Sequence, residues 1–96
     1  MLYGYARVST DDQTNDGQID EMIAAGVPAD RIVSEKVSGG VRAAARPCLS
    51  SLLDRLGAGD TLTVTKLDRL GRDAPDTLGL IRDLRARGVG VRILAL

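Results

Sequence analysis

The sequence predicts an α/β fold: a three-layer α/β/α arrangement around a mostly parallel four-stranded sheet. Two observations carry this. Four short segments with strand composition alternate with helical segments of about 10–15 residues, the signature of βαβ units. Glycine or proline also marks most of the junctions, at Gly26, Pro47, Gly57, Pro75 and Gly88. Parallel strands need crossover connections of one hand, which lay the helices on the sheet's faces. A length of 96 residues supports a single core, so residues 1–96 read as one domain.

Leu2 to Val8 reads as the first strand, because Tyr3, Tyr5 and Arg7 alternate with Ala6 and Val8. Ser9-Thr10-Asp11 offers a helix cap, followed by Ile19, Met22 and Ile23 at helical spacing and a stop at Gly26. Arg31 to Val37 is a second strand, and a loop opened by Ser38-Gly39-Gly40 runs to about Arg46. Pro47 suits the first position of a helix whose Leu49, Leu52, Leu53 and Leu56 form one apolar stripe. Thr61 to Leu67 is a third strand. Asp73-Ala74-Pro75 then starts a helix with Leu78, Ile81 and Leu84 facing inward, and Val89 to Leu96 is the fourth strand.

Composition narrows the chemistry. Apolar residues make up 44% and charged residues 27%, and no apolar run approaches the roughly 20 residues of a membrane span, so no membrane partner is expected. The first residues lack a signal-peptide pattern, which leads to a cytoplasmic expectation. There is no histidine and one cysteine, Cys48, so neither a Ser-His-Asp nor a Cys-His nucleophile can form, and neither can a His/Cys zinc site. Of the 13 basic residues 11 are arginine, the side chain whose planar fork matches phosphate. Net charge is zero but uneven. Residues 1–35 carry two basic and seven acidic side chains, whereas residues 36–72 carry seven basic and three acidic. A basic middle suits an anionic ligand.

In a parallel α/β sheet ligands bind at the strands' carboxyl ends, here Arg7-Val8-Ser9, Glu35-Lys36-Val37-Ser38 and Lys66-Leu67-Asp68-Arg69. Arg7 and Ser9 share a strand face, which sets a hydroxyl beside a fixed cation. Lys66 to Asp73 holds a charge run in which a helical turn would bring Arg69 and Arg72 to one side. Arg46 ends a glycine- and alanine-rich loop and could close over an anion. Plainer roles stay open for each: Ser9 or Thr10 as a helix cap, Arg7 as a snorkelling edge residue, the charge run as a solvated loop, Arg46 as a surface arginine.

Tyr5-Ala6-Arg7-Val8-Ser9-Thr10, Gln13 and Gln18, Lys36-Val37-Ser38-Gly39, Arg46-Pro47-Cys48-Leu49 and Lys66-Leu67-Asp68-Arg69-Leu70-Gly71-Arg72-Asp73 follow one another in the order and register of a known pattern. Over almost the whole chain the sequence resembles the catalytic domain of the resolvase/invertase group of serine site-specific DNA recombinases. The resemblance implies that Ser9 attacks a DNA phosphodiester, leaving a 5′-phosphoserine link and a free 3′-hydroxyl. It implies that Arg7, Arg46, Arg69 and Arg72 clamp the phosphate and that Asp68 orients the arginines or relays a proton. Gln13 and Gln18 then position the site, with Tyr5, Glu35 and Lys66 in support. No metal or other cofactor is implied. The implied partners are double-stranded DNA and, in the full-length protein, further copies of the same chain as a dimer or tetramer. Localisation would be bacterial cytoplasm, on the nucleoid when DNA-bound.

The chain departs from the family pattern at several points. Glu35 stands where the family usually has Asp, the loop before Arg46 is slightly long, and Cys48 replaces a small or acidic residue. Asn15 and Gly17 weaken the first helix. The family continues into a long dimer-forming helix and a helix-turn-helix domain that these residues do not contain, so a fragment or a truncated copy is expected. Alternative readings are a non-catalytic remnant or interaction module, or a phosphate-binding α/β domain of another kind. The latter has no G-x-G-x-x-G after a strand to support it. The proton acceptor for Ser9 stays open among Asp68, Glu35, water and the phosphate itself.

Overall fold

A computed structural model describes residues 1–8 and 16–95. Ser9, the proposed cap Ser9-Thr10-Asp11, and Gln13 lie outside the described residues. The elements are β1 (Leu2–Val8), α1 (Asp16–Ala24), β2 (Ile32–Lys36), α2 (Pro47–Arg55), β3 (Thr61–Val64), α3 (Ala74–Ala86) and β4 (Gly90–Ile93), with single 3₁₀ turns at Ala29–Arg31, Ala43–Ala45 and Leu67–Arg69. All the strand pairings are parallel and the order is β2-β1-β3-β4.

The first crossover runs from β1 to one edge, and the next two run the other way. One handedness therefore puts α1 on one face and α2 and α3 on the opposite face. The side chains follow. Ala6, Met22 and Val27, with Leu2, Ile19 and Ile32, form the smaller core under α1. Tyr5, Leu49, Leu52, Leu56, Leu62, Val64, Leu70, Leu84 and Val89 form the larger one. The α/β/α layering expected from the sequence is thus the observed fold. The stripe read for α2 holds, with Leu49, Leu52 and Leu56 buried and Leu53 packed beside them. Pro47 begins that helix, and Arg87 at the end of α3 donates from Nη2 to the carbonyls of Leu53 and Leu56 at its other end. α1 stops where expected, as Gly26 takes φ +99°, which residues with a side chain seldom adopt.

Three strands differ from expectation in their bounds, and two helices differ at one residue of the inward face. β3 ends at Val64 rather than Leu67, because its neighbour β1 pairs with it only as far as Gly4 opposite Thr63, and the chain then turns at Leu67–Arg69. β4 spans Gly90–Ile93, the stretch that has a partner on β3, rather than Val89 to Leu96. β2 is one residue shorter at each end, Arg31 closing the preceding 3₁₀ turn. In α3 Ile81 and Leu84 face inward as expected, but Thr77 and Leu80 complete the stripe in place of Leu78, which is 57% exposed. Ile23 likewise is exposed while Met22 is buried.

Candidate active site

The site begins where the two central strands part. Strand order reverses between β1 and β3, the position at which α/β sheets open a crevice for ligands. Beyond Gly4, the strand pairing of β1 among the described residues continues on the β2 side alone, where Arg7 lies opposite Glu35 and the Val8 carbonyl accepts from the Val37 N–H at 3.0 Å. The backbone of Arg7 thus lacks a strand on its β3 side. Gln18 of α1 fills that place with its amide: Oε1 accepts from the Arg7 N–H at 3.2 Å and Nε2 donates to the Arg7 carbonyl at 2.9 Å. Gln18 therefore fixes the strand end that leads to Ser9.

Three of the four arginines singled out in the sequence gather beside this strand reversal. Arg7 is 7% exposed and donates from Nη1 to the Val37 carbonyl at 3.1 Å. Arg46 is fully buried. Its Nε donates to the Val41 carbonyl at 2.9 Å and its Nη1 to the Arg69 carbonyl at 2.8 Å. Arg69 reaches from Nη1 to the Arg7 carbonyl at 3.4 Å. The end of β1, the loop before α2 and the turn after β3 are so joined through guanidinium groups. Arg46 is not the surface arginine of the plainer reading.

These bonds leave donors over. Among the described residues Nε of Arg7, Nη2 of Arg46 and Nε of Arg69 are buried without an acceptor. The nearest described carboxylate, the exposed Asp68, stands 4.0 Å from Arg69 Nε, beyond hydrogen-bond reach. Burial pushes the Arg7 guanidinium below its ordinary pKa, and the charges of Arg46 and Arg69 push it further. Buried cations with unused donors are costly unless an anion meets them.

Glu35 is buried on the same side. Its Oε2 accepts from the Tyr5 hydroxyl at 2.7 Å and from the Leu49 N–H at 3.0 Å, and its Oε1 accepts from the Cys48 N–H at 3.0 Å. Pro47 has no N–H, so the first two amides that α2 can offer both end on this carboxylate. Glu35 acts as a cap supplied from β2, fixing the helix that Arg46 precedes. Burial, and next Glu35, raise the Tyr5 hydroxyl far above its ordinary pKa, so Tyr5 is a neutral donor. Burial followed by Glu35 also raises the Cys48 thiol.

Two further residues lie apart from this group. Arg72 is exposed, with Nε 3.2 Å from Asp73 Oδ2, because the 3₁₀ turn ends at Arg69 and does not carry Arg72 onto the same side. Lys66 is exposed in a groove with Glu21, Ala24 and Leu94, on the α1 side of the sheet. One residue was not singled out from the sequence. Asp76 Oδ2 accepts from the Ala43 N–H at 2.9 Å and the Arg72 N–H at 2.8 Å. Its signal was an acidic residue three after the Asp73 cap, the capping-box position.

Residues 2–96 match the family model for the resolvase N-terminal domain. The chain is 53% identical over 93 residues to a probable DNA-invertase, y4cG, of Sinorhizobium fredii, covering 97% of this chain and 29% of that protein. It is 44% identical over 97 residues to the transposon Tn2501 resolvase of Escherichia coli, covering 99% and 50%. Against the serine recombinase gin of Escherichia phage Mu it is 46% identical over 94 residues, covering 98% and 47%. The chain thus spans half or less of the length of these curated relatives. In fold it is similar to the crystal structure of the C-terminal catalytic domain of ISC1926 TnpA, an IS607-like serine recombinase. The TM-score is 0.75 at 22% identity, covering 97% of this chain and 69% of that one.

Proposed function

Because this chain belongs to the resolvase N-terminal domain family, we propose that its buried arginines hold a phosphodiester of duplex DNA while Ser9 attacks the phosphorus. Ser9 Oγ bonds to phosphorus as the bond from phosphorus to the 3′-oxygen breaks. The serine proton leaves by way of Asp68 or water and the 3′-oxygen takes up a proton. The product is a 5′-phosphoserine link and a free 3′-hydroxyl. Attack by a 3′-hydroxyl reverses the step, so rejoining draws on the ester already formed. Phosphoryl transfer depends on positioning and on neutralising the equatorial oxygens, which fixed guanidinium groups supply without reorganising.

The observation that carries this reading is the set of three buried guanidinium donors, on Arg7, Arg46 and Arg69, that have no acceptor among the described residues. Ser9 follows Arg7 by two residues in the chain. Glu35, whose two oxygens already accept three hydrogen bonds, serves the scaffold, which favours Asp68 or water over Glu35 as the proton acceptor. Arg72, which is exposed, meets the phosphate or its flanking backbone from outside. Exchange between two duplexes breaks one strand per serine, so a complete reaction takes four copies. Its place is the cytoplasm, on the nucleoid when bound to DNA.

The test uses a pool of duplexes with randomised sequence around a nick, labelled on the 5′-phosphate side of the scissile strand. A covalent protein–DNA adduct should survive denaturing electrophoresis for the unaltered chain and vanish for Ser9→Ala. An adduct that persists in Ser9→Ala sinks the assignment of Ser9. Arg69→Ala should lose adduct by about a hundredfold or more while DNA affinity falls far less. Equal losses would contradict a role in neutralising the transition state.

A further inference from the structure

We propose that Asp76 is a positioning residue, joining the loop that ends in Arg46 to the loop that carries Arg69 and Arg72 through a single carboxylate oxygen. The inference rests on the phosphate-clamp reading above for its functional meaning, but not for its geometry. Oδ2 of Asp76 receives the backbone N–H of Ala43 at 2.9 Å and that of Arg72 at 2.8 Å. An acidic residue at this position of a helix ordinarily reaches back to its own first turn. Here one of its two donors lies 33 residues away.

That distant donor leads directly to the clamp. Ala43 is buried and opens the 3₁₀ turn Ala43–Ala45, and its carbonyl accepts from the Arg46 N–H at 3.2 Å. Pinning Ala43 therefore pins the turn that delivers Arg46. The guanidinium of Arg46 returns the tie by donating to the Arg69 carbonyl. The two loops are cross-linked twice, once through Asp76 and once through Arg46 itself.

Asp76 is in turn held. Its own N–H donates to Asp73 Oδ1 at 2.9 Å, which seats it at the start of α3. Gly71 allows the approach. A Cβ there would come 2.5 Å from Thr77 Oγ1, 2.9 Å from Thr77 N and 3.1 Å from Asp76 Oδ2, so any side chain would push the loop off the helix end. The backbone donors, that of Arg72 foremost, hold the Asp76 carboxyl below its ordinary pKa and so keep it an acceptor for both amides.

The experiment measures hydrogen exchange by NMR on the whole 96-residue chain. In Asp76→Ala, exchange of the Arg46 Nε–H and of the Ala43 and Arg72 amides should accelerate about tenfold or more, while the core amides of Leu52 and Leu62 change little. Asp76→Asn keeps one acceptor oxygen and should stay close to the unaltered chain. Unchanged Arg46 exchange in Asp76→Ala overturns the proposal, as does acceleration of the core amides by the same factor, which marks a general structural role. Should Asp76→Ala fail to fold, Gly71→Ala opens the same contact and must give the same local pattern. The clamp reading is read out separately, by shifts of the Arg7, Arg46 and Arg69 Nε–H signals on adding inorganic phosphate to the unaltered chain. Their absence removes the clamp, whereas the local exchange pattern still establishes the tie.

Discussion

Arg7 shows what the site asks of a single residue. Its guanidinium is buried next to Arg46 and Arg69, makes one side-chain bond to the Val37 carbonyl, and leaves Nε without an acceptor among the described residues. A charge so placed contributes little to folding. Arg7→Met should leave stability within about 1 kcal/mol of the unaltered chain, or raise it, in urea unfolding at low salt. Adduct formation by the same variant should fall by about a hundredfold or more. A loss of stability by several kcal/mol would instead make Arg7 a structural residue. Asp76 behaves oppositely. Its carboxyl lies below the ordinary value of 3.8, so its contribution is present above that pH and is lost as pH falls through the lower folded value. Acid titration of stability should accordingly be shallower below about pH 4 in Asp76→Asn than in the unaltered chain. Identical acid limbs would contradict it.

At the scale of elements, α2 is set by a carboxylate from a different element. Glu35 on β2 takes the Cys48 and Leu49 amides, so Glu35→Gln should cost about 1–2 kcal/mol in urea unfolding and speed exchange of those two amides. No change in either would show that Glu35 is dispensable to the helix. This arrangement also marks the limit of what the sequence makes legible. β1 and α2 are readable because alternation in Leu2–Val8 and the leucine stripe behind Pro47 are local patterns. The ends of β3 and β4 are not, since they depend on where a neighbouring strand stops. On α3 Leu78 alone is misjudged, because Thr77, against Gly71, is buried in place of the more apolar Leu78. Of the site, Arg7, Arg46 and Arg69 can be picked out in sequence, whereas their mutual bonds and the tie through Asp76 join residues too distant in the chain for any local pattern to announce.

For the whole molecule, the sheet reverses its order between β1 and β3, and the two faces of helices deliver to that point Gln18 from one side and Arg46 from the other. An anion entering there should stabilise the fold. Inorganic phosphate should raise the melting temperature of the unaltered chain with rising concentration, and Arg46→Met should abolish that rise. An equal rise in both would place the bound anion elsewhere. The covalent bond itself can be located on the chain. The most direct measurement digests the protein–DNA adduct trapped on nicked duplexes and locates the phosphonucleotide mass by peptide sequencing. The mass should lie on Ser9, joined through a 5′-phosphate. A phosphonucleotide on any other residue, or a 3′-phosphate link, would contradict it.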